Sequence, residues 1–143
     1  MRLKEIMTNA VVIVHPDSTL QKAAQKMKEL DIGALPVSDG DRLQGMLTDR
    51  DITVRSVCDG HDPRTDKVRD AMTPELIYCF EDQDEADAAR LMKQKQVRRL
   101  AVLNQTKQLV GIVSLGDLAG TSANEQLVGD VLLAVSEPAT QVR

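Results

Sequence analysis

The chain repeats itself, and that constrains its fold more than any other feature. At an offset of about 65 residues, LKEIMT (Leu3 to Thr8) falls on VRDAMT (Val68 to Thr73), and both end in Met-Thr. The same register pairs Asp17 with Asp82, Ala23-Ala24 with Ala88-Ala89, Met27 with Met92, and IGALPV (Ile32 to Val37) with VRRLAV (Val97 to Val102). After one inserted residue, GMLTDRDI (Gly45 to Ile52) lies over GIVSLGDL (Gly111 to Leu118). So many ordered matches define a tandem repeat of roughly 60 residues, each copy too small to bury its own apolar face.

Within a copy the hydrophobic period changes. VVIV (Val11 to Val14) and LIYCF (Leu76 to Phe80) are short β-branched or aromatic runs that read as strands. PDSTLQKAAQKMKEL follows the first, with Ser18 and Gln21 as a capping box and Leu20, Ala23, Ala24, Met27 and Leu30 at helical spacing. The second copy keeps Ala88, Ala89 and Met92 but has Glu85 in place of Leu20, which predicts a helix seated less deeply at its start. ALPV and LQGMLT read as two strands joined at Asp39-Gly40; RLAVL and LVGIVS repeat them around NQTK without the glycine.

Each copy closes with a second helix that begins at a hydroxyl-x-x-Asp, the first of them stopped by Gly60 and Pro63. Met7, Met27, Met72 and Met92 recur with the unit and read as core fillers. The expected fold class is α+β: two tandem strand-helix-strand-strand-helix repeats packed sheet to sheet with pseudo-two-fold symmetry. The first repeat is placed at residues 1–64 and the second at 65–122, with a C-terminal helix and tail at 123–143. In that tail Leu127, Val128, Val131, Leu132 and Val135 share helical spacing, as a cap on the module or a dimer contact.

Composition excludes several function classes. A net charge of −4 and only two aromatic rings, Tyr78 and Phe80, offer neither attraction to phosphate backbones nor a platform for stacking bases. No apolar run reaches the roughly 18 residues needed to span a bilayer, and the start shows no cleavage signal, so a cytoplasmic protein is expected. Gly-rich phosphate loops, Gly-x-Ser-x-Gly elbows and His-Glu-x-x-His helices are all lacking, which argues against an enzyme. Cys58 and Cys79 read as unpaired thiols in a reducing compartment, although a disulfide between them stays open. Cys58, His61 and Asp62, with His15 or Cys79, do not follow a standard zinc spacing, and a half-buried cysteine followed by a loop histidine is the preferred reading.

Thr48-x-x-Asp51 and Ser114-x-x-Asp117 are, by residue type, capping boxes. Met-Thr before a short strand, ALPV and RLAV, and Gly-x-x-[Ser/Thr]-x-x-Asp written twice resemble the tandem CBS (cystathionine-beta-synthase) domain pair, or Bateman module. TDRDI followed by GHDPRT is similar to the stand-alone two-repeat members of the hypoxic-response type. The resemblance spans about Leu3 to Leu118. It implies that an adenosine-containing ligand (AMP, ADP or ATP, in some members NAD or S-adenosylmethionine) sits in clefts between the repeats, with the Asp on ribose and the Ser or Thr on phosphate.

On that reading Thr48 and Ser114 meet phosphate at a helix start, and Asp51 and Asp117 accept the two ribose hydroxyls. Val11, Val12, Leu76 and Ile77 border the base, and Arg50, Arg98 and Arg99 neutralise phosphate. Ala101 in place of the proline found at Pro36, together with Glu85, marks the copies as unequal. The expected protein is a non-catalytic regulatory module that needs no cofactor, binds an adenine nucleotide and signals through a homodimer to a regulated protein. A structural or interaction dimer with vestigial clefts is the alternative, and a zinc or redox sensor using Cys58, His61 and Cys79 a third.

Overall fold

The computed structural model describes residues 1–9, 11–121 and 125–136. In chain order its elements are α1 (Leu3–Ile6), α2 (Leu20–Leu30), β1 (Ala34–Ser38), β2 (Leu43–Thr48), α3 (Asp49–Ile52), α4 (Val68–Ala71), β3 (Tyr78–Phe80), α5 (Glu85–Lys95), β4 (Arg99–Leu103), β5 (Leu109–Ser114), α6 (Leu115–Thr121) and α7 (Glu125–Ser136). After α3 the chain continues into a wider π-helical turn, Thr53–Val57. The mixed α and β elements recur twice, as the repeat predicts. They gather into two compact units: a first-copy unit, Val12–Ile77, and a second-copy unit, Met1–Val11 with Tyr78–Arg143.

In the first-copy unit β1 and β2 form an antiparallel hairpin, Ala34 opposite Thr48 and Val37 opposite Gly45. Its turn uses the expected chemistry: Gly40 takes φ +102°, and the Asp39 carboxylate accepts the backbone N–H groups of Arg42 and Asp41 at 3.0 Å. Those two donors hold the Asp39 carboxyl below its ordinary value. The strand expected at Val11–Val14 contracts to one parallel bridge, in which Val14 N donates to Pro36 O and Ser38 N to Val14 O, both at 3.0 Å. The carbonyl of Ile13 accepts from Lys26 Nζ at 2.8 Å, and the Val11 N–H turns back onto Asn9 O, so the ladder stops there. The cap of α2 also falls one residue late: Thr19 Oγ1 accepts the Lys22 N–H at 3.2 Å, while the Ser18 carbonyl takes the N–H of Val68. Leu20, Ala23 and Met27 then pack with Val14, Leu35, Val37, Leu47, Val68 and Ala71 into one aliphatic core.

The second-copy unit repeats this plan with a fuller edge strand. β3 runs parallel to β4, Tyr78 opposite Ala101, and β4 antiparallel to β5. The run predicted from Leu76 becomes a strand only from Tyr78 onward. Leu3, Ala88, Ala89, Met92, Leu100, Val102, Val113, Leu118 and Val131 are buried, whereas Glu85 stays partly exposed where its counterpart Leu20 is fully enclosed. Helix α7 realises the predicted tail helix over Glu125–Ser136; Asn124 and residues 137–138 lie outside the described residues. Among the described residues no helix is long and apolar enough to cross a membrane.

The opposite edge of each sheet is closed by an exchange that the linear repeat does not suggest. Met46 and Thr73 trade two backbone hydrogen bonds, of 3.0 and 2.9 Å, on β2; Thr8 and Ile112 trade two, of 2.8 and 3.1 Å, on β5. The Met-Thr segment of each sequence copy therefore lies on the hairpin of the other copy. This explains the glycine three residues before each hydroxyl. A Cβ on Gly45 would stand 2.3 Å from Thr73 O, and one on Gly111 would stand 2.4 Å from Met7 Sδ and 3.0 Å from Thr8 O. Only a residue without a side chain lets the crossing backbone come that close.

Both cysteines are free thiols, Cys58 exposed and Cys79 only 2% exposed. Burial, with a smaller contribution from the Asp87 charge, pushes the Cys79 thiol from 9.0 up to about 11.

Gly45→Ala should destabilise the protein by about 1–3 kcal/mol, because its new methyl meets a backbone carbonyl, and Gly111→Ala by less, because the Met7 side chain can swing away. Gly129→Ala, inside α7 with open space around it, should stabilise by up to about 1 kcal/mol. Urea unfolding of the three variants checks the order. At pH 8 a thiol reagent should add to Cys58 alone in the folded protein and reach Cys79 only on unfolding, read by intact mass. Between pH 9 and 11 the unfolded thiol loses a proton that the folded one keeps, so stability should fall across that window, and less so in Cys79→Ala.

Candidate functional site

Both hydroxyl-x-x-Asp motifs form at the junction of a hairpin and a short helix, where β2 passes into α3 and β5 into α6. Each is a reciprocal box. Thr48 N donates to Asp51 Oδ2 at 2.9 Å and Asp51 N to Thr48 Oγ1 at 3.0 Å; Ser114 N donates to Asp117 Oδ2 at 2.9 Å and Asp117 N to Ser114 Oγ at 3.1 Å. The capping reading is thus realised at both corners, and it occupies one oxygen of each carboxylate. A carboxylate oxygen has two lone pairs, so a cap bond by itself does not exclude a second donor.

The surroundings of the two corners differ. At the first, the three leading N–H groups of α3 are all engaged: Asp49 N donates to Gly33 O at 2.9 Å, Arg50 N to the Asp49 carboxylate at 2.8 Å, and Asp51 N to Thr48. The Asp49 side chain lies against Gly33, with Oδ2 only 3.0 Å from the position of a Cβ there. Asp51 is 9% exposed, and its Oδ1 stands 3.9 Å from Arg55 Nε. Arg55 Nη1 in turn donates to the carbonyls of Ala71 and Met72, at 3.1 and 2.9 Å, tying the corner to the end of α4. The Arg50 side chain is exposed.

At the second corner Leu115 N donates to Arg98 O at 2.9 Å, the counterpart of the Asp49 to Gly33 bond. Arginine therefore stands where the first copy has glycine, and Leu115-Gly116 where it has Asp49-Arg50. An open cleft of about 440 Å³ lies here, lined by Arg98, Arg99, Ser114 and Gly116 and, from α7, by Val128 and Leu132. That volume lies within the range of small-molecule sites, roughly 300–1,000 Å³. Both arginines are exposed.

Of the residues singled out from sequence, the structure joins Thr48 with Asp51 at one corner, and Ser114 with Asp117, Arg98 and Arg99 at the other. Val11 lies in the second-copy unit, and Val12, Leu76 and Ile77 lie in the first-copy unit; none of the four lines the cleft. Beside these corners lie Arg55, Val128 and Leu132, which sequence reasoning did not assign to them. Arg55 was detectable as a cation four residues after Asp51. The α7 residues lie outside the repeat and gave no such signal.

His61 Nδ1 is 3.0 Å from Asp66 Oδ2, which also accepts the Ser56 hydroxyl at 2.9 Å, so this histidine pins the loop after the π-helical turn. Among the described residues no three His, Cys, Asp or Glu side chains gather as a metal site.

Comparison with known proteins agrees with this architecture. The chain is 42% identical over 134 residues to the CBS domain-containing protein YhcV of Bacillus subtilis (strain 168), covering 94% of each chain. It is 40% identical over 117 residues to hypoxic response protein 1 of Mycobacterium tuberculosis (strain ATCC 25618 / H37Rv), covering 81% of each. The crystal structure of Hypoxic Response Protein I with two coordinated zinc ions superposes with a TM-score of 0.78 at 38% identity, over 85% of this chain and 98% of that one. The CBS domain pattern matches residues 3–57 and again 68–124, so the chain belongs to the CBS domain family and carries two copies of that domain.

Proposed function

We propose that this protein is a non-catalytic regulatory module that binds an adenine nucleotide, AMP, ADP or ATP, at a hydroxyl-x-x-Asp corner. The observation that carries this reading is the cleft of the second-copy unit, where two arginines and a serine line the same space as Val128 and Leu132 of α7. Such a lining suits a ligand that is anionic at one end and apolar at the other. Asp117, oriented by the Ser114 N–H, is the carboxylate that a ribose would meet at this corner. The signal passes through a homodimer to a regulated protein, and the coupling required is on the order of 1–3 kcal/mol.

A role in protein interaction without nucleotide is the second reading. It is favoured by large apolar side chains left exposed on the π-helical turn and α7: Val54, Val57, Leu132 and Leu133, the last 71% exposed. The zinc in a related structure makes metal analysis a useful companion measurement; a sensor using Cys58, His61 and Cys79 requires about one bound metal per chain or more.

Calorimetric titration with AMP, ADP, ATP, NAD and S-adenosylmethionine is the test. At least one should bind with a dissociation constant between about 1 μM and 1 mM. At one hundred times that constant it should stabilise the fold by about 2.7 kcal/mol, seen as a rise in Tm. Asp117→Asn, which keeps an acceptor for the Ser114 N–H, should weaken binding about tenfold with little change in unliganded Tm. No binding by any of the five at millimolar concentration rejects the nucleotide reading and leaves the interaction role.

A further inference from the structure

We infer that a pocket between β3 and α5 of the second-copy unit binds an alkylammonium group, in the place that a lysine of the same chain fills in the first copy. The site lies wholly within one unit, and the inference does not depend on nucleotide binding at either corner.

The repeat supplies the argument. In the first copy Lys26, on α2, sends its ammonium to the carbonyl of Ile13 at 2.8 Å. The register that pairs Thr8 with Thr73 and Met27 with Met92 also pairs Ile13 with Tyr78 and Lys26 with Leu91. Alternate residues of a strand point their N–H and C=O groups at the same neighbour. Glu81 N donates across to Leu103 O of β4 at 2.9 Å, so Tyr78, out of phase with it, turns its own groups to the open edge. Among the described residues the Tyr78 carbonyl has no partner, and Leu91 has no donor to offer it.

A pocket of about 210 Å³ opens at this place, lined by Tyr78 and Cys79 of β3 and by Gln83, Asp87, Leu91 and Gln94. It is smaller than the roughly 300–1,000 Å³ of drug-sized sites and suits one short chain. Charge is exchanged together with Lys26, since Asp87 stands where the first copy has Lys22. The pocket therefore offers a carboxylate and a backbone carbonyl as acceptors, with Leu91 and Cys79 as apolar lining. Cys79 remains a neutral thiol there, because burial and, after it, the Asp87 charge keep its proton in place. An ammonium brings three donors on an alkyl stem, which matches that set.

Arg90 also lines the pocket and is its one cationic residue. Its Nη1 donates to Asp87 Oδ1 at 3.2 Å, while Asp87 Oδ2 accepts the Asp84 N–H at 3.1 Å. The Arg90 side chain is 73% exposed; an ion pair so placed is weak, and an incoming ammonium competes with it for Oδ1. Removing Arg90 therefore tightens an ammonium, whereas it would loosen an anion.

The test uses the full-length chain and n-butylammonium chloride, followed by amide NMR. Saturating shifts should appear at Tyr78, Cys79 and Leu91 at millimolar concentration, and changes several-fold smaller at Ile13 and Lys26. Tetramethylammonium chloride, a cation without N–H groups, should give none that saturate. Leu91→Lys copies the first-copy arrangement and should weaken butylammonium about tenfold by supplying the ammonium from within. Asp87→Asn keeps an acceptor for the Asp84 N–H and should weaken binding several-fold; Arg90→Gln should strengthen it by about two- to fivefold. Nα-acetyl-lysine methylamide and 1,5-diaminopentane separate the sources of such a group. Binding of the blocked lysine as well as butylammonium supports a partner's lysine side chain as the occupant, and binding of the diamine without the blocked lysine supports a free amine. Equal shifts with tetramethylammonium, no saturable shift from Tyr78 to Leu91, weaker binding in Arg90→Gln, or unchanged binding in Asp87→Asn overturns the inference.

Discussion

A backbone carbonyl, that of Thr73, lies where a side chain on Gly45 would begin, and a methionine sulfur and a carbonyl crowd the same place at Gly111. The rest of the molecule depends on these two close approaches. A hairpin of two short strands is marginal in water. Here each hairpin gains one edge from the chain before its helix and another from a Met-Thr segment that the linear repeat assigns to the other copy. Because the crossing segment pairs with the residue after the glycine, it also sets how far the strand runs before it turns into α3 or α6. The hydroxyl and the acid that follow then close the turn by satisfying two N–H groups reciprocally. Glycine, hydroxyl and acid thus have separate mechanical duties, and together they let the corner hold itself.

That economy has an electrostatic consequence. The two copies divide their residues differently at this corner. The first invests Asp49, Asp51 and Arg55 in internal bonds, and its helix start has no donor left among its three leading N–H groups. The second places Leu115 and Gly116 in the turn and carries Arg98 and Arg99 beside it, neither paired with a carboxylate among the described residues. One topology thereby carries different side chains at its two corners, Asp49 and Arg50 at the first, Arg98 and Arg99 at the second.

Much of the fold was legible in the sequence because its elements are encoded locally. The stripe from Leu20 through Met27, the Asp39-Gly40 turn and the tail-helix pattern each depend on neighbours within a few residues. The misplacements share one physical origin. Val11–Val14 has strand composition, yet the Lys26 ammonium takes the Ile13 carbonyl; Ser18 is a good cap residue, yet the Gln21 N–H it would cap donates to Pro63 O. In each case a group distant in sequence competed for a backbone atom and won.

The sequence by itself determined that the chain is a duplicated α+β unit with an aliphatic core, and that each copy turns a corner on a hydroxyl-x-x-Asp. Periodicity, capping chemistry and self-similarity are all written in the order of residues. Only the tertiary structure decided which copy's Met-Thr segment borders which hairpin, why a glycine must stand three residues before each hydroxyl, and that α7 walls the cleft at Arg98 and Arg99. Those features are distances between atoms far apart along the chain, and the order of residues does not record how closely two backbones must pass.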